Sequence, residues 1–411
     1  MKLLKIPAAS VLALTLISAA SAQTTIRITG STAFRAAVYQ SILNIMAPGF
    51  VYGYSGTTLS GSSQAIFTGN TTGGNNVIIK TSFSGSVGGI STLAKNLTIG
   101  PSGTFTGGGG WLVNSTAQST GGTPSVPLVF DPAVTADIAM ADCYQKSAPT
   151  KFHTPVLTDN TVGVVDFEWV LTPGKAALGT INTSTNLTNV EITDSLINGT
   201  LTLSQLSGNG GDTESVQAVG RDSDSGTRIQ ALACSKNAVG AHLKQYQPLF
   251  NGATTPTQPP PAPGTQITGA ALWPGYTLNT IAYPVGDEGY SGGGSLAGAV
   301  KVSHSGSFPT YADWFLSYLG INDAATVTNG IVLKFDGVVF SNTTVENGTY
   351  KYWGNEHLFY RTTFSGVGLT VAGLVVSDIK TNTASISGIK YADMKKHREA
   401  DGGKVLNGGT P

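Results

Sequence analysis

The chain has 411 residues, enough for two domains or one large one, and only 11% of them are charged. Lysine plus arginine and aspartate plus glutamate number 23 each, so the formal net charge is zero and no basic stripe marks a nucleic-acid surface. Any anion must therefore be held by local groups rather than by a global field.

The first 22 residues read as a secretory signal peptide. Lys2 and Lys5 open it, Val11 to Ile17 form an apolar stretch too short to stay in a bilayer, and Ala20-Ser21-Ala22 supplies small residues for cleavage. The mature chain is expected to begin near Gln23 and to be exported, periplasmic or secreted, and monomeric. Cys143 and Cys234 are compatible with one disulfide in an oxidising compartment. Scattered histidines with no His or Cys pair at ligand spacing argue against a metal site, and no cofactor is implied.

Thr25 to Thr29 alternates as a short strand, then Gly30-Ser31-Thr32 turns into a helix marked by Phe34, Ala37, Val38, Ile42 and Ile45. After a polar, Gly-rich stretch, Val77 to Lys80 predicts a second strand. Gly85-Ser86-Val87-Gly88-Gly89 follows, and then a helical run with Ile90, Leu93 and Ala94. Residues 97–126 look like an irregular or hairpin insertion. Asp137 to Asp142 predicts a buried strand ending in a carboxylate, and Val162 to Leu171 another, closed by Thr172-Pro173-Gly174. Ile192 to Gly199 predicts a short helix.

Val216 to Val219 then leads into Arg221-Asp222-Ser223-Asp224-Ser225-Gly226-Thr227, with Ile229, Leu232 and Ala233 on one face of the helix that follows. That order puts Ser225, Gly226 and Thr227 at a helix N-terminus, where unpaired N–H groups and the helix dipole favour an anion. Arg221 adds a planar fork for oxyanions. Taken alone, Ser-Gly-Thr is more simply a helix cap. Beyond it, Pro256 to Pro263 predicts an extended loop inside a second insertion near 250–270. Residues 281–300 predict strand, glycine loop and a helix from Ser295; Tyr311 to Leu319 an aromatic helix; Ile331 to Phe340 and Phe359 to Val376 strands; Tyr391 to Ala400 a terminal helix. Strands alternating with helices argue for α/β layers with largely parallel sheets.

The Gly/Ser/Thr junctions, Arg221 and the strand-end Asp142 are the materials of one oxyanion site, and in open α/β sheets such loops gather at the carboxyl ends of strands. In this order the chain resembles the periplasmic phosphate-binding proteins that feed ABC transporters, a branch of the type II solute-binding fold. The matching pieces are Arg221 with Ser225-Gly226-Thr227, the Gly85–Gly89 loop, the strand ending at Asp142, the Gly30–Phe34 loop, and Val164 to Gly174. The resemblance implies a two-lobe α/β fold with a ligand cleft between lobes. It places lobe I in residues 24–158 and 346–411 and lobe II in residues 159–345. It further implies phosphate ligands Ser31, Thr32, Ser86, Asp142, Arg221, Ser225, Gly226 and Thr227, with the first loop readable through either Ser31 or Thr32, and an ABC-transporter permease as partner. Asp222 and Asp224 stand where relatives usually place one acid.

Asp142 sharpens the ligand. A buried carboxylate repels a fully deprotonated anion such as sulfate but accepts a hydrogen bond from monohydrogen phosphate. An unpaired acceptor there would cost roughly 2–5 kcal/mol. Arsenate shares phosphate's shape and proton and remains an alternative, as does sulfate if Asp142 points elsewhere. A secreted serine hydrolase is a rival reading: Gly289-Tyr290-Ser291-Gly292-Gly293 fits Gly-x-Ser-x-Gly, with Asp336 and His357 following in hydrolase order. Pro284 and the loop before Ser291 speak against it. A surface or matrix protein would show repeats, and none of convincing period is present.

Overall fold

A computed structural model describes residues 23–173, 181–250, 267–301 and 313–408. The signal-peptide stretch, Gly174, Pro256 to Pro263 and Tyr311 lie outside the described residues. Among the described residues no helix is long and apolar enough to cross a membrane.

The frame is a mixed sheet. In chain order its main strands are β1 (Thr24–Gly30), β2 (Val51–Tyr54), β3 (Gln64–Asn70), β4 (Asn76–Phe83), β5 (Ile138–Ala141), β6 (Thr158–Thr172), β7 (Val216–Val219), β8 (Trp314–Gly320) and β9 (Trp353–Tyr360). Their order across the sheet is β7-β8-β6-β9-β5-β1-β4-β3-β2, with the short strand Ile331–Val332 added on β6. β1 runs parallel to β4 and β5, and β7 parallel to β8. β9 is antiparallel to both β5 and β6, β8 to β6, and β3 to both β2 and β4. The largely parallel sheet expected from the sequence is thus corrected to a mixed one.

β6 ties the two halves of the fold together. From Thr158 to Asp166 it pairs with β9; from Phe167 to Thr172 it pairs with β8. One strand therefore leaves the first half-sheet and enters the second, giving the two-lobe α/β arrangement that the sequence implied. A continuous apolar core runs beneath both halves, from Ile26, Phe34 and Val38 to Phe167, Trp169, Leu232 and Trp314.

The helices that matter for the site are α1 (Arg35–Ile45), α2 (Ser86–Lys95), α3 (Gly226–Cys234), α4 (Gly293–Val300) and α5 (Gly366–Asp378). Each of the first three follows a parallel strand directly, so three loops open at carboxyl ends of strands. α2 lies close against the sheet because Gly89 has no side chain. A Cβ there would fall 2.8 Å from the Gly30 Cα and 3.1 Å from the Ala139 Cβ.

Several expected elements are different. Trp314 to Gly320 is a strand, not the aromatic helix: every residue of it is buried. A strand covered on both faces reads as an apolar run without alternation, which periodicity cannot tell from a buried helix. Of Phe359 to Val376, only the start is strand; Gly366 to Asp378 is a helix whose buried Gly368, Val371, Ala372 and Val375 repeat at helical spacing. Its many valines favour strand by propensity, and packing overrides that. The terminal helix is instead a single turn, Tyr391–Asp393, followed by Lys396–His397 paired with Leu406–Asn407. Arg398 holds this tail down by stacking 4.2 Å from the Trp353 ring and donating 2.6 Å to the Trp353 carbonyl. Ile331 to Phe340 yields only two-residue pairings, broken by a turn at Asp336 and Gly337 with φ of 50° and 79°. Helix α4 begins at Gly293 rather than Ser295. In 97–126, Thr98–Ile99 pairs with Val134–Thr135 and most of the remainder is irregular.

Candidate functional site

Four strand ends deliver the candidate residues to one place. After β1, the Ser31 amide donates 2.8 Å to the Met140 carbonyl, which pins the loop against β5, and the fully buried Phe34 anchors it from below. After β4, the Gly85 amide donates 2.9 Å to the Gly30 carbonyl, locking the two loops together before α2 begins. Asp142 directly follows the end of β5, and Arg221 stands two residues past the end of β7.

Asp142 is 1% exposed and forms the hub. Ser86 Oγ donates a short hydrogen bond to its Oδ1, the Asp142 amide donates 3.2 Å back to Ser86 Oγ, and Thr227 Oγ1 donates 3.3 Å to Oδ2. Burial pushes the carboxyl above its ordinary range, while the Ser86 hydrogen bond and the Arg221 charge oppose that shift. Gly226 comes so near that a Cβ on it would lie 1.6 Å from Asp142 Oδ1. This close approach is the reason for glycine at that position.

Arg221 is also buried, at 2% exposure. Its Nε donates 2.9 Å to the Tyr290 carbonyl, and Nη2 donates 2.9 Å to the Ser291 carbonyl and 3.2 Å to Thr32 Oγ1. The backbone is fixed as firmly. Arg221 N donates 2.9 Å to Tyr318 Oη, Tyr318 Oη donates 2.5 Å to Gln245 Oε1, and Gln245 Nε2 donates 3.0 Å to the Arg221 carbonyl.

The structure therefore brings Ser31, Thr32, Ser86, Asp142, Arg221, Gly226 and Thr227 together between the two half-sheets. Ser31 is fully buried, with its side chain beside the Glu356 carboxyl. Ser225 plays the local role that the isolated motif suggested: it caps α3, its Oγ accepting 3.3 Å from Arg228 N.

The two extra acids do not crowd Arg221 in the same way. Asp222 accepts 3.2 Å from Asp224 N and is pushed up to about 6 by burial, against the pull of Arg221 and Arg228. Asp224 faces Asn279, whose Nδ2 lies 3.4 Å from both carboxylate oxygens, and burial pushes it well above the ordinary range. The Asp224 carbonyl accepts from the amides of Val87 at 2.9 Å and Gly88 at 3.4 Å. These first-turn donors of α2 are thus engaged by the opposite half of the fold.

Other residues that support the hub were not legible in the sequence. Gln230 Nε2 donates 2.6 Å to the Asp142 carbonyl and 2.6 Å to Asp401 Oδ1. Glu356, on β9, is fully buried, and burial together with the nearby Asp142 pushes it well up, against the opposing pull of the Ser31 side chain. Tyr318, Gln245, Gln230, Glu356 and Asp401 belong to no recognisable motif. Only a three-dimensional contact marks them.

The hydrolase residues do not assemble. Ser291 is exposed and contributes its carbonyl to Arg221; Asp336 pairs with Lys351 at 3.9 Å; His357 Nδ1 is 2.7 Å from Asp159 Oδ1, with its ring between Tyr144 and Phe359. Cys143 and Cys234 are both buried and free, so no disulfide joins them. Among the described residues, no group of three or more His, Cys, Asp or Glu is placed to hold a metal.

No family model and no curated protein matches the sequence. Solved structures do. A Clostridium perfringens protein assigned as a phosphate ABC transporter substrate-binding protein, with phosphate bound, is 14% identical with a TM-score of 0.45, covering 88% of this chain and 96% of that one. An ABC-type phosphate transport receptor from Vibrio cholerae is 14% identical with a TM-score of 0.43, over 88% and 96%. A periplasmic phosphate-binding protein, PfluDING, with phosphate bound is 12% identical with a TM-score of 0.41, over 94% and 91%. These three neighbours are described as phosphate-binding or phosphate-transport proteins, and a Corynebacterium glutamicum OxyR variant matches as well, 9% identical with a TM-score of 0.39 over 90% and 69%. At this distance the functional reading of the present chain rests on its own residues.

Proposed function

We propose that this chain is an exported solute-binding protein that captures monohydrogen phosphate between its two lobes and delivers it to an ABC-transporter permease. Residues 1–22 direct export. Lobe I comprises residues 24–158 and 346–411, lobe II residues 159–345, with the crossing strand β6 as part of the hinge. Ser31, Thr32, Ser86 and Asp142 serve from the first lobe, and Arg221, Ser225, Gly226 and Thr227 from the second, so that binding favours closure.

The observation that carries this reading is Asp142. A buried carboxyl with raised proton affinity, two hydroxyl neighbours and a buried guanidinium beside it suits an oxyanion that retains a proton. Arg221 neutralises the anion's charge, the hydroxyls and α3 amides supply donors, and Asp142 takes the one hydrogen that the ligand offers. No bond is made or broken.

Calorimetric titration of the chain from Gln23 onward with phosphate tests the reading. Binding that Arg221→Ala weakens by a hundredfold or more supports it. Absence of heat and of any thermal stabilisation at millimolar phosphate would sink it.

A further inference from the structure

A cleft of about 450 Å³ opens directly beside the anion cluster. Thr32 belongs to both: its hydroxyl accepts from Arg221 Nη2, and it forms part of the cleft wall. Ser291, whose carbonyl accepts from the same Nη2, also lines the cleft. Arg221 is not itself part of the wall; its guanidinium lies behind these two wall residues and donates to both.

The lining is polar and drawn from both lobes. Arg35, Gln64, Phe83 and Ser84 come from the first, Ser291 and Ser295 from the second. Ser84 is 9% exposed and its hydroxyl has no partner, a group that a ligand oxygen can satisfy. Gly107 and Gly109 of the 97–126 insertion complete the wall. A Cβ on Gly107 would meet the Phe105 ring at 2.3 Å and one on Gly109 would meet Ser82 Oγ at 2.6 Å, so both glycines are set by close packing of this wall. An enclosed cradle for a bare phosphate needs no such annex, whereas about 300–1,000 Å³ is the usual size of pockets that hold organic ligands.

Building on the phosphate reading above, we infer that the site also takes phosphate monoesters of polyols, with the phosphoryl group at Arg221 and Asp142 and the hydroxylated part in this cleft. Hydroxyls and amides recognise hydroxyls by exchange of hydrogen bonds, and Arg35 adds donors to the lining. The insertion then acquires a role: it walls the half of the pocket that reads the organic group.

The test is a calorimetric panel with inorganic phosphate, glycerol 3-phosphate, glucose 6-phosphate and glucose. It is run at pH 6, where a monoester, with its second ionisation near about 6, still presents a proton to Asp142 in half of its molecules. At least one ester is expected to bind within tenfold of inorganic phosphate, and glucose alone not at all. Ser295→Phe fills the cleft from the surface of α4. It should weaken the ester by tenfold or more and inorganic phosphate by less than threefold; Gln64→Leu, on the opposite wall, should act in the same direction. Inorganic phosphate binding with both esters a hundredfold weaker would overturn the inference and leave the phosphate reading intact. No binding of any phosphate compound would overturn both.

Discussion

Gly226 and Asp142 approach between the two half-sheets until no side chain fits between them; a Cβ on Gly226 would stand 1.6 Å from the carboxylate oxygen. Residue 226 opens α3 and residue 142 directly follows β5, so this one contact joins the N-terminus of a helix that follows β7 in one half-sheet to the carboxyl end of a strand in the other. Gly226→Ala should force the lobes apart. Overpacking of this kind costs about 1–3 kcal/mol, so we expect phosphate affinity to fall roughly ten- to a hundredfold by titration while the unfolding temperature changes little. Unchanged affinity would show that this contact does not govern closure.

A second crossing contact lies at the edge of the site. Thr106, in the insertion, and Asn279, in the other lobe, exchange hydrogen bonds of 2.9 Å from Thr106 N to Asn279 Oδ1 and 2.7 Å from Asn279 N to Thr106 Oγ1. Asn279 has φ of 48°, so Asn279→Gly keeps the backbone conformation and removes only the side chain. At about 0.5–1.5 kcal/mol per hydrogen bond, the variant should bind phosphate several-fold more weakly and show a larger ligand-free radius of gyration in X-ray scattering. Identical scattering and affinity would mean that the pair does not latch the lobes.

Buried acids predict how stability depends on pH. Burial raises Glu168 to about 7 and Asp222 to about 6, from ordinary values of 4.5 and 3.8. The folded protein binds their protons more tightly than the unfolded chain does. The stability they permit is therefore complete below about pH 4 and is lost as pH rises through 6 and 7. Other groups add their own slopes, so the contribution is isolated by mutation. In thermal melts Glu168→Gln should raise the midpoint at pH 8 relative to wild type and leave it nearly unchanged at pH 4. An equal shift at both values would contradict the assignment.

The cysteines give a direct check on packing. Cys143 is fully buried, with its thiol pushed well up by burial and by the acids Asp401, Asp142 and Glu356, while Cys234 is packed beside Gln230 and the Trp353 carbonyl. Thiolate is the reactive form. Native protein should thus resist an aromatic disulfide reagent for hours and release two thiol equivalents only in denaturant, and a reductant should leave its melting temperature unchanged. A melting temperature lowered by reductant would reveal a disulfide.

The clustering of the candidate residues was more legible in the sequence than several elements of the frame that carries them. Ser86, Asp142, Arg221 and Thr227 stand out because anion chemistry needs few residue types; Asp142 closes an apolar run, and the other three follow a strand beside glycines. The strand β8 was misread because it is covered on both faces, and α5 because its valines favour a strand. Tyr318 suffered twice: it lies in the misread strand, and its bond to Arg221 spans 97 positions of sequence. Asp401 was hidden in a tail whose order depends on Arg398 stacking over Trp353. Contacts between remote positions leave no local pattern, so the residues that orient Arg221 and Asp142 emerge only once the sheet order is known. The disulfide compatible with two cysteines in an exported chain likewise gave way to packing.

The role assigned to Asp142 is tested most directly by the ratio of phosphate to sulfate affinity, measured by calorimetry at pH 7.5 in wild type and in Asp142→Asn. An acceptor that meets a ligand proton should give the wild type a preference for phosphate of a hundredfold or more, and the amide, able to donate, should collapse that preference to within tenfold. Sulfate binding as tightly as phosphate in the wild type, or a preference undiminished in Asp142→Asn, would contradict it.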